Sequence, residues 1–248
     1  PFGNAIVEGG LTWSYVDLWS ALTTWGGDQK NVPTVGDSVT ITQGQYIVMD
    51  VTPPSLFLLI VYGGVLEFSP DVGDLALNAS YIFVFGGSLR VGTEQAPFPN
   101  KAVITLEGDR NSLELPVYGA KCLAVSDAIL DLHGLPSTTT WVRLASSASA
   151  GNSTLALDTP VDWIAGDQVF ITSTSFDPLE TEERVVAQVR DGGYTITLTK
   201  PLAFDHWGEG YVDPRTGEML VPEYRAEVGR LTRNVVVQGD DISKRQQF

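Results

Sequence analysis

One cysteine, two methionines and two histidines are all that 248 residues offer of the side chains that most often cross-link a chain, bind soft metals or act as bases near neutral pH. A lone thiol rules out any disulfide within the chain, and Cys122 opens the apolar run Cys122 to Val125, where it reads as a small buried hydrophobe rather than a nucleophile. Positive charge is equally scarce: 15 Lys and Arg stand against 30 Asp and Glu, for a net charge of −15. A phosphate backbone is held by clustered cations, so nucleic acid is excluded as a partner, and an anionic membrane surface is disfavoured for the same reason. The longest unbroken apolar run, Leu56 to Tyr62, is far short of the roughly 20 residues that a membrane-spanning helix needs. Nucleophile elbow, phosphate loop, zinc-protease helix, cysteine pair and EF-hand loop are all missing, which removes most enzyme classes legible in a sequence. No signal-peptide pattern opens the chain at Pro1, and we expect an excised piece of something longer.

What is present points to a globular all-β protein. The chain is 43% hydrophobic and 18% charged, too apolar for disorder and long enough to bury a core without disulfide staples. Short alternating runs of Val, Ile, Thr and aromatics, punctuated by 25 glycines and 14 prolines, fit strands of about five or six residues. Helix is expected only over Tyr15 to Thr24, where Val16, Leu18, Trp19 and Leu22 recur at near-helical spacing and Gly26-Gly27 follow. Trp13, Trp19 and Trp25 are expected to pack its cap.

Four segments share one pattern, a small residue followed by a strand-like run: Gly44 to Val48, Gly64 to Phe68, Gly87 to Val91 and Ala128 to Leu132. Their small residues lie 20, 23 and 41 positions apart, the spacing of coils in a parallel β-helix. Such coils would stack Tyr46, Leu66, Leu89 and Leu130 in one column and Val48, Phe68, Val91 and Leu132 in the next, with Gly63-Gly64 and Gly86-Gly87 at the corners. A sandwich with hairpins at this spacing is the alternative. From Trp141 onward the runs Thr154 to Leu157, Gln168 to Thr172, Arg184 to Val189 and Tyr194 to Leu198 suggest antiparallel strands, the last two joined by the turn Asp191-Gly192-Gly193.

Candidate chemistry rests on carboxylates, histidines and tryptophans. Asp205-His206 with Glu209, and the acidic run Asp177, Glu180, Glu182 and Glu183, could supply oxygen ligands to calcium, although neither has ordered ligand spacing and solvated loops account for both. His133 closes a strand and reads as a turn histidine before it reads as a base. Asn78-Ala79-Ser80 and Asn152-Ser153-Thr154 are glycosylation sequons.

An ordered series of residues resembles a known family. Trp25-Gly26-Gly27, Val32-Pro33, Gly36 to Ile41, Gly63-Gly64, Gly86 to Thr93 and Leu130 to Gly134 are similar to the eight-glycine domain. Arg225 to Gly229 with Leu231 to Val235 resembles the junction where that domain leads into a right-handed parallel β-helix in fibrocystins, fibrocystin-like proteins and cell-surface hyaluronidases, and Val91 to Gly119 looks closest to the fibrocystin-like branch. The residue patterns and the resemblance together lead us to expect an all-β fold, a right-handed parallel β-helix with one short N-terminal helix and additional antiparallel strands in the C-terminal half. Its coils would occupy residues 12–140 and a strand-rich continuation residues 141–248.

Three functions follow from the resemblance and the residues together. The first is a non-catalytic structural or adhesive module of a large, glycosylated cell-surface protein, in contact with matrix, glycan or neighbouring chains. A second is a calcium-dependent depolymerase of hyaluronan-type polysaccharide using Arg110, Glu114 and His133, against which stands Leu115 or Pro116 where the active relatives carry an aspartate. The third is a carbohydrate-binding module without turnover, with Trp207, Arg90, Lys101 and Lys121 as contact residues and no cofactor beyond calcium.

Overall fold

A computed structural model describes residues 6–8, 11–13, 15–109, 111–210, 212–218 and 224–244. They form two compact units, one of residues 1–135 with 233–248 and one of residues 136–232. The first unit holds β1 (Ile6–Glu8), β2 (Leu11–Trp13), β3 (Asp17–Leu18), β4 (Ser38–Thr42), β5 (Tyr46–Met49), β6 (Leu56–Tyr62), β7 (Val65–Phe68), β8 (Leu75–Phe85), β9 (Ser88–Val91), β10 (Ala102–Leu106), β11 (Cys122–Ser126) and β12 (Ile129–Leu132). The second holds β13 (Trp141–Arg143), β14 (Thr154–Ala156), β15 (Gln168–Ile171), β16 (Glu182–Arg190), β17 (Thr195–Leu198) and β18 (Glu227–Arg230), while β19 (Val235–Gly239) belongs to the first.

From β3 to β9 the chain passes back and forth between two parallel sheets, ordered β3-β5-β7-β9-β12 and β4-β6-β8-β10-β19. Parallel neighbours cannot be joined by a tight hairpin, so each crossover runs through the other sheet. Ile41, Leu59, Val61, Leu66, Leu77, Ile82, Leu89 and Ile104 are fully buried between them. The stacking differs from the expected columns. Ile47, not Tyr46, aligns with Leu66, Leu89 and Leu130, and Met49, not Val48, aligns with Phe68. The phase is set by left-handed backbone: Gly44, Gly63, Gly86 and Asp127, with φ of +86°, +72°, +61° and +47°, each lie two residues ahead of a strand. Gly44 therefore matches the first glycine of each later pair. The second glycines serve close approach, since a Cβ on Gly64 or Gly87 would come within 2.6 Å of Thr42 O or 2.5 Å of Gly64 O. Nor is the interval of 41 two coils of one sheet: β12 pairs directly with β9, and the 11-residue β8 takes β10 along Leu75–Ala79 and β11 along Tyr81–Phe85.

The expected N-terminal helix is absent. Asp17–Leu18 pairs with Ile47–Val48 as β3, and only a 3₁₀ turn, Leu22–Trp25, follows. Of the four residues at helical spacing, Trp19 alone is buried, so no continuous apolar stripe exists to hold a ten-residue helix that would be marginal by itself. Trp25 instead packs edge-on against Trp19, with ring centroids 5.0 Å apart, and donates Nε1–H to Trp19 O at 2.8 Å. The side chain of Trp13 lies outside the described residues.

In the second unit a six-stranded antiparallel sheet runs β13-β18-β15-β16-β17-β14. A bridge between Leu144 and Leu157 brings its two end strands together, curling the sheet round Leu144, Leu155, Val169, Ile171, Val186, Ile196 and Val228. Asp191 to Gly193 form the turn between β16 and β17. The protein is thus all-β with mixed parallel and antiparallel sheets and a half-barrel. This corrects the expectation of a right-handed parallel β-helix with an N-terminal helix, because the repeat spacing reports the first unit alone and β8 there, besides pairing with β6, takes both β10 and β11.

Candidate functional site

In the second unit a cleft of about 520 Å³ opens between the turns 147–150, 174–180 and 203–207. Its floor is a buried polar cluster. Glu182, the first residue of β16, is 6% exposed and accepts hydrogen bonds from Ala203 N (2.9 Å), Phe204 N (3.3 Å) and His206 Nε2 (2.7 Å), while Arg184 closes on its second oxygen. Burial disfavours the charged carboxylate, but these donors outweigh it and hold Glu182 below the usual carboxylate range. His206, 1% exposed, places its Nδ1 2.9 Å from Thr172 O. Both ring nitrogens thus face acceptors, and the imidazole is locked by its surroundings.

This floor fixes the wall residue next to it. Trp207 is 46% exposed; its backbone N–H donates to Thr174 Oγ1 at 2.9 Å and its indole N–H to Glu209 O. Gly208 then passes so close to Ser146 that a Cβ would lie 2.2 Å from Ser146 C, while Gly208 N donates to Ser147 Oγ at 3.1 Å. Across the cleft, Ser173 Oγ donates to Asp177 O at 2.7 Å and Asp177 Oδ1 accepts from Leu179 N at 2.9 Å, which sets the turn carrying Ser175 and Glu180. Asp205 Oδ1 accepts from Ala150 N at 2.7 Å. The lining therefore combines one exposed indole, the hydroxyls of Ser147, Ser149, Thr174 and Ser175, and the carboxylates of Glu180 and Asp205.

The residues expected to bind metal are divided by this arrangement. Glu182 and His206 point into the floor and Asp177 caps a 3₁₀ turn, and among the described residues no three His, Cys, Asp or Glu side chains converge as a metal site. Of the catalytic candidates, Arg110 lies outside the described residues. Glu114 is exposed in the loop between β10 and β11. His133 follows β12, with Nε2 3.7 Å from Asp131 Oδ1, and no described hydrogen bond or ion pair joins it to Glu114.

The basic candidates sit in the first unit. Arg90 Nε lies 3.9 Å from Asp131 Oδ2, in the register row Glu67–Arg90–Asp131. Tyr46 donates to Glu67, and burial together with that bond pushes its phenol up to about 12. Lys121 bonds Asp240 Oδ1 and Gly108 O, each at 3.0 Å, whereas Lys101 is exposed. Lys101 and Lys121 precede strands that pair with Leu75 and Tyr81 of β8, six residues and so roughly 20 Å apart, and they do not form one patch. Cys122 is half-buried beside Tyr81, and burial raises its thiol.

The sequence marks Trp207 as a sugar contact and Asp205, His206 and Glu180 as candidate calcium ligands, but gives no sign that all four border one cleft. The stretch Ala145 to Thr154 reads as a plain connecting loop, and Glu182 and His206, 24 residues apart, carry no spacing signal.

The sequence model of the G8 domain matches residues 24–145. Human Fibrocystin-L is 46% identical over 230 residues, covering 92% of this chain and 5% of its own length. Fibrocystin of Canis lupus familiaris is 33% identical over 241 residues, covering 96% of this chain and 6% of its own. The rliB protein of Dictyostelium discoideum is 26% identical over 237 residues, covering 93% of this chain and 20% of its own. The chain thus corresponds to a small part of each of these relatives.

Proposed function

Because this chain carries a G8 domain and is homologous to Fibrocystin-L and fibrocystin over most of its length, we propose that it is a non-catalytic structural and adhesive module of a large extracellular surface protein. The observation that carries this reading is that three of its cationic and basic candidates are engaged by the protein itself, Arg90 and His133 with Asp131 and Lys121 with Asp240, and that Lys101 stands apart from them. A hyaluronan depolymerase must present open cations to a polyanion, and a surface of net charge −15 repels one. Size-defined hyaluronan incubated with the chain, with and without calcium, is expected to keep its length on a sizing gel while an active hyaluronidase shortens it in parallel. Shortening by this chain would overturn the reading.

The extracellular assignment is supported by the sequons, which differ in setting. Asn152 is exposed in a turn where its Oδ1 accepts from Thr154 N at 3.0 Å, whereas Asn78 is half-buried within β8 opposite Thr105. No described helix is long and apolar enough to cross a membrane. Protein secreted from animal cells is expected to carry a glycan on Asn152, read by peptide mass spectrometry before and after enzymatic deglycosylation. An unmodified Asn152 on secreted protein would count against the site.

A further inference from the structure

We propose that the cleft beside Trp207 binds a neutral glycan, seating one pyranose against the indole; this names a ligand class for the adhesive role and rests on that reading. Pyranose rings have an apolar C–H face and a polar rim, so their sites pair an exposed aromatic plane with hydrogen-bonding groups of both kinds. Trp207 supplies the plane, held in place by its bonds to Thr174 and Glu209 and by the buried His206–Glu182 pair next to it.

The rim decides between ligand classes. Ser147 Oγ and Thr174 Oγ1 each already accept one bond, from Gly208 N and Trp207 N, and each keeps its own hydrogen to donate together with one lone pair. Glu180 and the second oxygen of Asp205 offer acceptors. A sugar hydroxyl can accept from the first pair and donate to the second. An ammonium group cannot accept, and would leave the serine and threonine hydrogens unmatched. An anionic sugar would meet the two carboxylates with no Lys or Arg among the cleft-lining residues.

The chain has six tryptophans, and the indole N–H signal missing from the ¹⁵N spectrum of Trp207→Phe identifies Trp207. Titration of the full 248-residue chain with neutral disaccharides of gluco, galacto and manno configuration should move that signal saturably for at least one of them. Affinity should fall on the order of tenfold in Trp207→Ala, as expected for loss of one aromatic stacking contact, and should fall also in Glu180→Gln, while Trp207→Phe keeps the fold and part of the binding. The proposal is overturned if no neutral disaccharide moves the signal in the folded protein. It is overturned equally if choline or a hyaluronan tetrasaccharide saturates the site and neutral sugars do not. Neither result alters the length of hyaluronan on the sizing gel, so failure here is distinct from failure of the non-catalytic reading.

Discussion

His206→Ala is expected to destabilise the second unit by about 1.5–3 kcal/mol, because it removes one hydrogen bond to the buried Glu182 carboxylate, which keeps Arg184, Ala203 N and Phe204 N. Hydrogen exchange should show the loss in β15, β16 and β17 while the amides of β6 and β8 keep their protection, since the pair lies wholly within the second unit. Equal loss in both units would refute a local role. The same pair predicts a pH dependence. Hydrogen bonding holds Glu182 below its ordinary value of 4.5 in the folded chain, so its stabilisation is fully present above that pH and is lost as the pH falls through the depressed folded value. Glu182→Gln should therefore be less stable than the parent at pH 7, with the gap narrowing in acid below pH 4.5. A gap that stays constant down to acid unfolding would show that Glu182 titrates as it does in the unfolded chain.

Asn234→Asp should cost the first unit roughly 2–4 kcal/mol, from two lost hydrogen bonds at about 1 kcal/mol each and the repulsion that replaces them. The Asn234 amide donates to Phe98 O at 2.7 Å and Asn100 O at 2.8 Å, and its Oδ1 accepts from Leu135 N at 2.8 Å. A carboxylate can keep the last of these and turns negative charge on the two carbonyls. Asn234→Ala should lose all three without the repulsion and fall less far than the aspartate. Urea denaturation followed by exchange of the β10 and β19 amides distinguishes the two variants, and an aspartate as stable as asparagine would remove the clamp.

How much of this was readable in advance depends on the range of each interaction. The period of near 20 residues and the paired glycines report local backbone demands, and residues two apart in sequence carry them. The column assignments slipped by one residue at β5 because Gly44 stands alone where later corners have two glycines, and sequence does not say which of a pair takes the left-handed position. The helix expected over Tyr15 to Thr24 failed for a related reason: strand pairing of Asp17–Leu18 with β5 is a tertiary contact that overrides a weak local preference. The cleft was less legible still, since its floor joins residues 24 to 34 positions apart and its rim comes from three turns.

Residue composition and pattern alone determined an acidic, all-β chain without disulfides, with glycine corners and an eight-glycine resemblance, because charge, strand propensity and turn chemistry are local properties. Tertiary structure alone decided which strands are neighbours, that the sheets are mixed, that Arg90 and Lys121 are paired with carboxylates, and that Trp207 borders a hydroxyl-lined cleft. These depend on which distant segments meet, and the free energy that selects those meetings comes from burial and long-range hydrogen bonding shared over the whole unit rather than written in any one stretch.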